Sequence, residues 1–201
     1  MIDKLIKLYN GIARSCQQQW NVWRIRSMRP QVTCQGNPSE YRLIGSLYLR
    51  IKHGGKLSLG KRLNVSSGIC WNPIARNIRT AFMVEPGAQM TIGDNVGISS
   101  ACLWAHQQIT VGNNVKIGAD TIIIDSDCHS LDCAVRCTDE DSQHKACAPV
   151  TIGDDVLIGA RSIILKGVTI GPRAIVGAGS VVTRSIPADE TWAGNPAKRI
   201  R

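Results

Sequence analysis

Residues 150–186 read VTIGDDVLIGARSIILKGVTIGPRAIVGAGSVVTRSI, and their spacing decides the fold. Ile152, Ile158, Ile164, Ile170, Val176 and Val182 recur at a step of six. Glycines follow most of them directly, at Gly153, Gly159, Gly171 and Gly177. A further aliphatic or small side chain sits four positions after each of the first five, at Val156, Ser162, Val168, Ala174 and Ser180. A step of six is a multiple of two but not of 3.6, so these aliphatics face one way on successive strands and would scatter around a helix. No single unit of this size can bury its own apolar side, so the repeat predicts coils stacked around one continuous core.

Upstream, the same step joins Ile92, Ile98 and Trp104, then Val111, Ile117 and Ile123, with one extra residue between the groups that predicts a bulge or corner. Leu57, Leu63 and Ile69 are weaker traces, and Pro73 to Ala81 fits the step poorly, as an irregular excursion would. The array therefore spans about 56–186 and is interrupted once, by Asp125 to Pro149. That interruption, within DSDCHSLDCAVRCTDEDSQHKACAPV, is acidic, Cys-rich and aperiodic, the kind of loop on a rigid scaffold where function concentrates.

Ahead of the array, Ile2, Leu5, Tyr9, Ile12, Cys16, Trp20 and Trp23 lie on one face of a helix spanning 2–25. Pro30 and residues 35–39 end it, and a second short helix is expected at Tyr41 to Lys52. The chain thus divides into an N-terminal helical segment, 1–55, the repeat domain, 56–186, and a basic tail, 187–201.

With 201 residues there is room for one main core. Apolar residues make up 43% but aromatics only 4%, with a single Phe, so Ile, Val, Leu and Ala must fill that core. The net charge of +9 is segregated. Residues 1–30 carry six basic and one acidic side chain, whereas 101–150 carry three and seven. A basic amphipathic helix suits an anionic membrane surface or a polyphosphate, or a solvated exterior. Nucleic acid is not an expected partner, because the charge comes without an aromatic-rich basic platform or a recognition motif. Asp3, Lys4 and Lys7 interrupt any leader-like apolar run, and eight Cys without an export signal read as reduced thiols. The expected location is cytoplasmic, with residues 2–25 able to touch the inner membrane face.

The run quoted first, with its continuation to Asn195 Pro196 Ala197 Lys198 Arg199 Ile200 Arg201, resembles the hexapeptide-repeat acyltransferases over the last two thirds of the chain. The resemblance implies a left-handed parallel β-helix, an all-β solenoid in which each hexapeptide forms one flat face of a triangular prism. It also implies a homotrimer with coenzyme A between adjacent subunits. Asp125 Ser126 Asp127 Cys128 His129 Ser130 Leu131 Asp132 is similar to the sugar and polysaccharide O-acetyltransferase branch, whose catalytic histidine lies in such a segment. His129 is the implied base. Imidazole titrates near 6.5 in general and can take the proton of an attacking hydroxyl near neutrality. An orienting carboxylate would come from Asp127 first, with Asp125 and Asp132 as alternatives.

The resemblance also places acetyl-CoA. Ala160 and Ala178 match family contacts to the cofactor, Ser180 is small at a similar place, and Thr183 and Arg184 match a Thr-basic pair. Lys198 and Arg201 would meet its phosphates, as ammonium and guanidinium groups do. Leu157 and Lys166 depart from the family's usual aromatic and Pro. The acceptor is expected to be a sugar hydroxyl of a surface polysaccharide or its precursor. Alternatives are the nitrogen of an amino sugar, serine, or a catalytically silent scaffold. No metal is expected: Cys128, His129, Cys133, Cys137, His144 and Cys147 are crowded but lack paired CxxC spacing. Gly55 to Lys61 has phosphate-loop spacing, but Arg62 replaces the hydroxyl residue and no helix pattern follows.

Overall fold

The computed structural model describes residues 2–68, 70–72, 74 and 78–201. Three parallel sheets form the faces of a prism. Face A stacks β1 (Val32–Cys34), β4 (Lys56–Leu59), β7 (Gln89–Ile92), β10 (Gln108–Val111), β13 (Val150–Ile152) and β16 (Thr169–Ile170). Face B stacks β2 (Arg42–Ile44), β5 (Asn64–Ser66), β8 (Gly97–Ser99), β11 (Lys116–Ile117), β14 (Leu157–Ile158) and β17 (Ile175–Val176), and ends in β19 (Thr191–Gly194) and β20 (Ala197–Arg199). Face C stacks β3 (Tyr48–Ile51), β6 (Ala81–Val84), β9 (Cys102–Ala105), β12 (Ile122–Ile124), β15 (Ile163–Ile164) and β18 (Val181–Val182). The chain visits A, B and C in that order on every turn.

Register turns the six-residue step into ladders. Leu59, Ile92, Val111, Ile152 and Ile170 stack inside face A, and Val65, Ile98, Ile117, Ile158 and Val176 inside face B. Face C contributes Leu49, Phe82, Leu103, Ile123, Ile164 and Val182, so the lone Phe fills one rung of an aliphatic column. All of these side chains are buried, and each is worth about 1.5–3 kcal/mol in hydrophobic burial. Trp104 is not among them. The coil is one residue shorter between Ile98 and Leu103 than between Ile117 and Ile123, so Leu103 takes the inward position and Trp104 the outer one.

Two corners show why the chain turns where it does. At the A-to-B corner Asp94 Oδ1 accepts Lys61 N–H at 2.6 Å, Asn113 Oδ1 accepts Asp94 N–H at 2.8 Å, and Asp154 Oδ1 accepts Asn113 N–H at 2.6 Å, each side chain holding the coil beside it. At the B-to-C corner a Cβ on Gly159 would lie 2.4 Å from Ala178 N, so only glycine permits that coil spacing.

The expected helix at Tyr41 to Lys52 is instead β2 and β3. Tyr41 and Leu43, then Leu47, Leu49 and Ile51, are buried at a step of two, and Gly45 breaks the run at φ +80° where a Cβ would strike Ser67 O. The prism therefore starts at Val32 and not at 56, which moves the first repeat boundary into the predicted helical segment. The predicted tail folds too: β19 pairs in parallel with β17 and turns back as β20. Ile69 and part of the 73–81 excursion lie outside the described residues. Helix α1 (Ile2–Ser27) precedes the prism, as the spacing requires, and runs through Gly11 without a break.

Candidate functional site

The loop between β12 and β13 leaves the prism at the C-to-A edge. Its root is fixed by Asp125, fully buried, whose carboxylate accepts the backbone N–H groups of His106 at 2.7 Å, Gln107 at 2.8 Å and Gln108 at 2.6 Å. Charge-assisted bonds of this kind are among the stronger ones in proteins. A short antiparallel neck follows, with Ala148 N–H donating to Asp125 O at 2.9 Å and Asp127 N–H to Ala146 O at 3.0 Å. Cys128 then adopts φ +65°, its N–H held by Ser126 Oγ at 3.0 Å, and this kink presents His129 to solvent.

The His129 side chain is 68% exposed, and its Nδ1 lies 2.5 Å from Asp141 Oδ2. Asp141 also accepts Ser130 N–H through Oδ1 at 2.7 Å. These two bonds, His129 first, hold the Asp141 carboxyl below the usual carboxylate range. With Asp141 ionised, Nδ1 carries the imidazole proton and Nε2 is left with a free lone pair, the arrangement a general base requires.

The expected orienting carboxylate, Asp127, does something else: its Oδ1 meets Lys166 Nζ at 2.8 Å. That ion pair also occupies Lys166. Asp125 is spent on the loop root, and Asp132 caps α2 (Cys133–Arg136), accepting Ala134 N–H at 2.9 Å. No local spacing rule points to Asp141, which stands twelve residues beyond His129 and is carried there by a single 3-10 turn at Asp141–Gln143. The sequence signal available was the acidic run Asp139 Glu140 Asp141 alone.

The residues expected to hold acetyl-CoA fall into three places. Ala160 and Ala178 stack at the B-to-C edge, against Gly118 and Gly159 of the preceding coils. Thr183 and Arg184 are exposed just after β18, at the C-to-A edge of the last coil, and Lys198 and Arg201 are exposed on or after β20. Ser180 is a correction. It is fully buried, its hydroxyl donating to Gly177 O at 2.6 Å and accepting Gly194 N–H at 3.1 Å, so it has no free group to offer a ligand. One coil earlier the Ser162 hydroxyl is likewise buried, donating to Gly159 O at 2.8 Å with Gly177 O at 3.1 Å.

A groove of about 440 Å³ runs along face B from Asn64 and Ser66, past Ser99 and Lys116, to Leu157 and Ala160. None of its lining residues is acidic, and Lys116 Nζ lies in it with Asn95 O at 3.1 Å. Ala160 thus sits at the end of an open channel, while His129 stands on a different edge of the same prism. Among the described residues no three His, Cys, Asp or Glu side chains gather as a metal site.

Residues 149–184 match the family described as the hexapeptide repeat of succinyl-transferase. A Dictyostelium discoideum protein named only as an acetyltransferase is 39% identical over 125 residues, 62% of this chain and 63% of that one. The 2,3,4,5-tetrahydropyridine-2,6-dicarboxylate N-acetyltransferase of Staphylococcus aureus is 33% identical over 92 residues, 46% of this chain and 32% of that one. The chain therefore spans less than two thirds of the length of these relatives. Among solved structures, a hexapeptide-repeat acetyltransferase of Vibrio cholerae in complex with acetyl-CoA is 37% identical, covering 58% of this chain and 62% of its own, with a TM-score of 0.52. A maltose O-acetyltransferase of Clostridium difficile shares the fold at 22% identity, covering 94% and 87% with a TM-score of 0.54. The coil sense common to such structures makes the prism a left-handed β-helix. With three faces in one repeating order, a six-residue ladder from Leu59 to Val182 and glycine-lined corners, the chain has the hexapeptide-repeat β-helix fold and is similar over part of its length to acetyltransferases built on it.

Proposed function

We propose that the protein transfers an acetyl group from acetyl-CoA to a hydroxyl of a sugar in a surface polysaccharide or its lipid-linked precursor. The observation that carries this reading is the His129–Asp141 pair, an oriented imidazole on a loop with an open Nε2. In the proposed step the acceptor oxygen bonds to the thioester carbonyl carbon as Nε2 takes its proton. The carbon–sulfur bond then breaks, and the thiolate leaves and receives that proton from the imidazolium. A thiol leaving group, with a pKa of about 8.5 by analogy with Cys, departs with little acid assistance. A backbone amide of the coils is the simplest donor to the developing oxyanion.

Ala160 and Ala178 would flank the pantetheine arm, with Thr183, Arg184, Lys198 and Arg201 meeting the nucleotide phosphates. The separation of edges supports assembly from several copies. His129 stands at the C-to-A edge and Ala160 at the B-to-C edge, so the groove of one protomer and the loop of another would together make a site. Face C supports the same idea, since Met83, Trp104, Ile122, Ile124 and Leu165 point outward there while face A shows Ser58, Thr91, Thr110, Thr151 and Thr169. A homotrimer in the cytoplasm is the proposed form, with peripheral contact to an anionic membrane through residues 2–25 when the acceptor is lipid-linked.

Amine acceptors form a second reading, favoured by the identity to an N-acetyltransferase. Both readings use the same base. Thiol release from acetyl-CoA, followed over a panel of activated sugars, amino sugars and serine, separates them. In that assay His129→Ala should lower kcat by about 10² to 10⁴. Near-normal turnover of this variant would overturn the assignment.

A further inference from the structure

Helix α1 is docked by the face that its sequence pattern does not advertise. At about 100° per residue, Tyr9, Ile12, Cys16, Trp20 and Trp23 occupy an arc of roughly 80°. An amphipathic helix ordinarily turns such a stripe to the protein core. Here the prism instead receives Gln18, Asn21, Val22 and Ile25, which lie nearly opposite. Val22 and Ile25 are buried, and Asn21 Nδ2 donates to Gly45 O at 2.8 Å and to Leu43 O at 3.2 Å. Gln18 pins the same strand from both sides, donating to Tyr41 O and accepting Leu43 N–H.

The apolar stripe is consequently left outside. Tyr9 is 72% exposed, Ile12 56%, Trp20 52% and Trp23 56%, and the two indoles stack with centroids 4.8 Å apart. Residues 9–16 are exposed apart from Arg14 resting over the Trp71 ring at 4.5 Å, and they add about 12 Å of helix ahead of the docked turns. Arg24 and Arg26 lie on either side of the stripe, where Arg24 donates to Leu47 O and Arg26 to Asn37 Oδ1 and Ser39 Oγ with their charge left unpaired by any carboxylate of the described residues, and no acidic residue occurs between Asp3 and Glu40. Trp and Tyr favour the membrane–water boundary, where an apolar ring meets lipid and its polar edge meets water. Among the described residues no helix is long and apolar enough to cross a membrane. Such a helix lies in the surface plane.

We propose that α1 is a membrane-surface helix whose Tyr9, Ile12, Trp20 and Trp23 stripe enters the headgroup boundary of an anionic leaflet, with the neighbouring arginines drawn to its charge. This names the surface for the membrane contact in the proposed function and rests on that part of it. Charge selects anionic lipid as the occupant: a second copy of this chain would bring the same excess of positive side chains against itself. The docked face keeps the prism attached to the helix, so an enzyme bound this way would meet lipid-linked acceptors from the side of α1.

The test uses the full chain with vesicles of phosphatidylcholine, with and without phosphatidylglycerol. Wild type should sediment with the anionic vesicles and show blue-shifted tryptophan emission. It should be released in about 1 M salt, where the Debye length shrinks to about 3 Å. Trp20→Ser/Trp23→Ser changes two exposed side chains and should keep the wild-type circular dichroism while losing about tenfold or more in partition. Equal sedimentation of this variant, equal binding to neutral vesicles, or no binding of wild type overturns the proposal. So does a fall in oligomer mass of the variant in the absence of vesicle binding, which would make the stripe an interface between copies. Thiol release to a soluble acceptor, measured on the same preparations, keeps the two readings apart: its failure would sink acetyl transfer and leave the vesicle result standing.

Discussion

Substituting Asp141 by Asn tests the proposed chemistry at the atom that gives it direction. The Asp141 carboxylate accepts from His129 Nδ1 through Oδ2 and from Ser130 N–H through Oδ1. In Asp141→Asn the amide oxygen can keep the Ser130 bond, so the loop should hold its course. The amide nitrogen then faces His129 Nδ1 and can only donate, which obliges Nδ1 to accept and moves the imidazole proton to Nε2. A base with its working nitrogen already protonated cannot take a hydroxyl proton. The loss should therefore approach that of removing the base, about 10² to 10⁴ in kcat, with the KM for acetyl-CoA unchanged. Two residues acting as one unit are not additive, so the His129→Ala/Asp141→Asn double variant should be no slower than His129→Ala alone. Thiol release under saturating acetyl-CoA reads all three variants. Asp141→Asn within about threefold of wild type, or losses that multiply in the double variant, would refute an Asp141-oriented base.

Two further expectations concern the scaffold. Gly159→Ala places a methyl against Ala178 N, and the two coils must part, so it should lower unfolding stability by about 1–3 kcal/mol in denaturant titration and raise the KM for acetyl-CoA. Wild-type stability would show that the corner is looser than its geometry. His106 is packed against Trp104 with both ring nitrogens lacking a partner, and burial first, then Lys145, holds its imidazole below the usual histidine range against the opposing pull of Asp125 and Glu85, with Lys52 also lowering it. The unfolded chain takes up that proton as pH falls through about 6.5 and the folded chain does not, so stability should be level above this pH and decline below it. His106→Phe keeps an aromatic ring there and should flatten the decline between about pH 6.5 and 5. An unchanged slope in thermal melts would assign it to other groups.

How much of the fold is legible in the sequence follows from how far each physical cause reaches along the chain. The inward ladder is set by residues six apart and by sterics at each corner, so Ile152 to Val182 fixed strand, facing and stacking at once. The same logic weakens where the step is irregular. Trp104 sits six after Ile98, yet the coil drops a residue there and Leu103 turns inward. Tyr41 to Ile51 shows the alternative failure: its leucines suit a helix at steps of four as well as strands at steps of two. The choice falls to Gly45, whose backbone conformation stops any helix, and to the edge hydrogen bonds offered by β5 and β6.

The candidate site was legible only where the proposed chemistry depends on a residue's own identity. His129 could be singled out by its segment, whereas its partner is chosen by a loop that folds back on itself, and three carboxylates closer in sequence are taken by a backbone corner, a lysine and a helix cap. Ser180 failed for a related reason. Smallness at a corner has two uses, admitting a ligand or bonding a backbone too tightly turned to bond itself, and a hydroxyl favours the second. The edges carry the same argument to the whole molecule. A strand rises about 3.3 Å per residue, so His129 at one edge of face C and Ala160 at the other are separated by a face on the order of 15–20 Å wide. A pantetheine arm held at Ala160 would have to cross that whole face to meet the imidazole of its own protomer. If the base and the cofactor instead come from two copies, mixing His129→Ala with an Ala160→Trp variant should restore turnover that neither possesses alone.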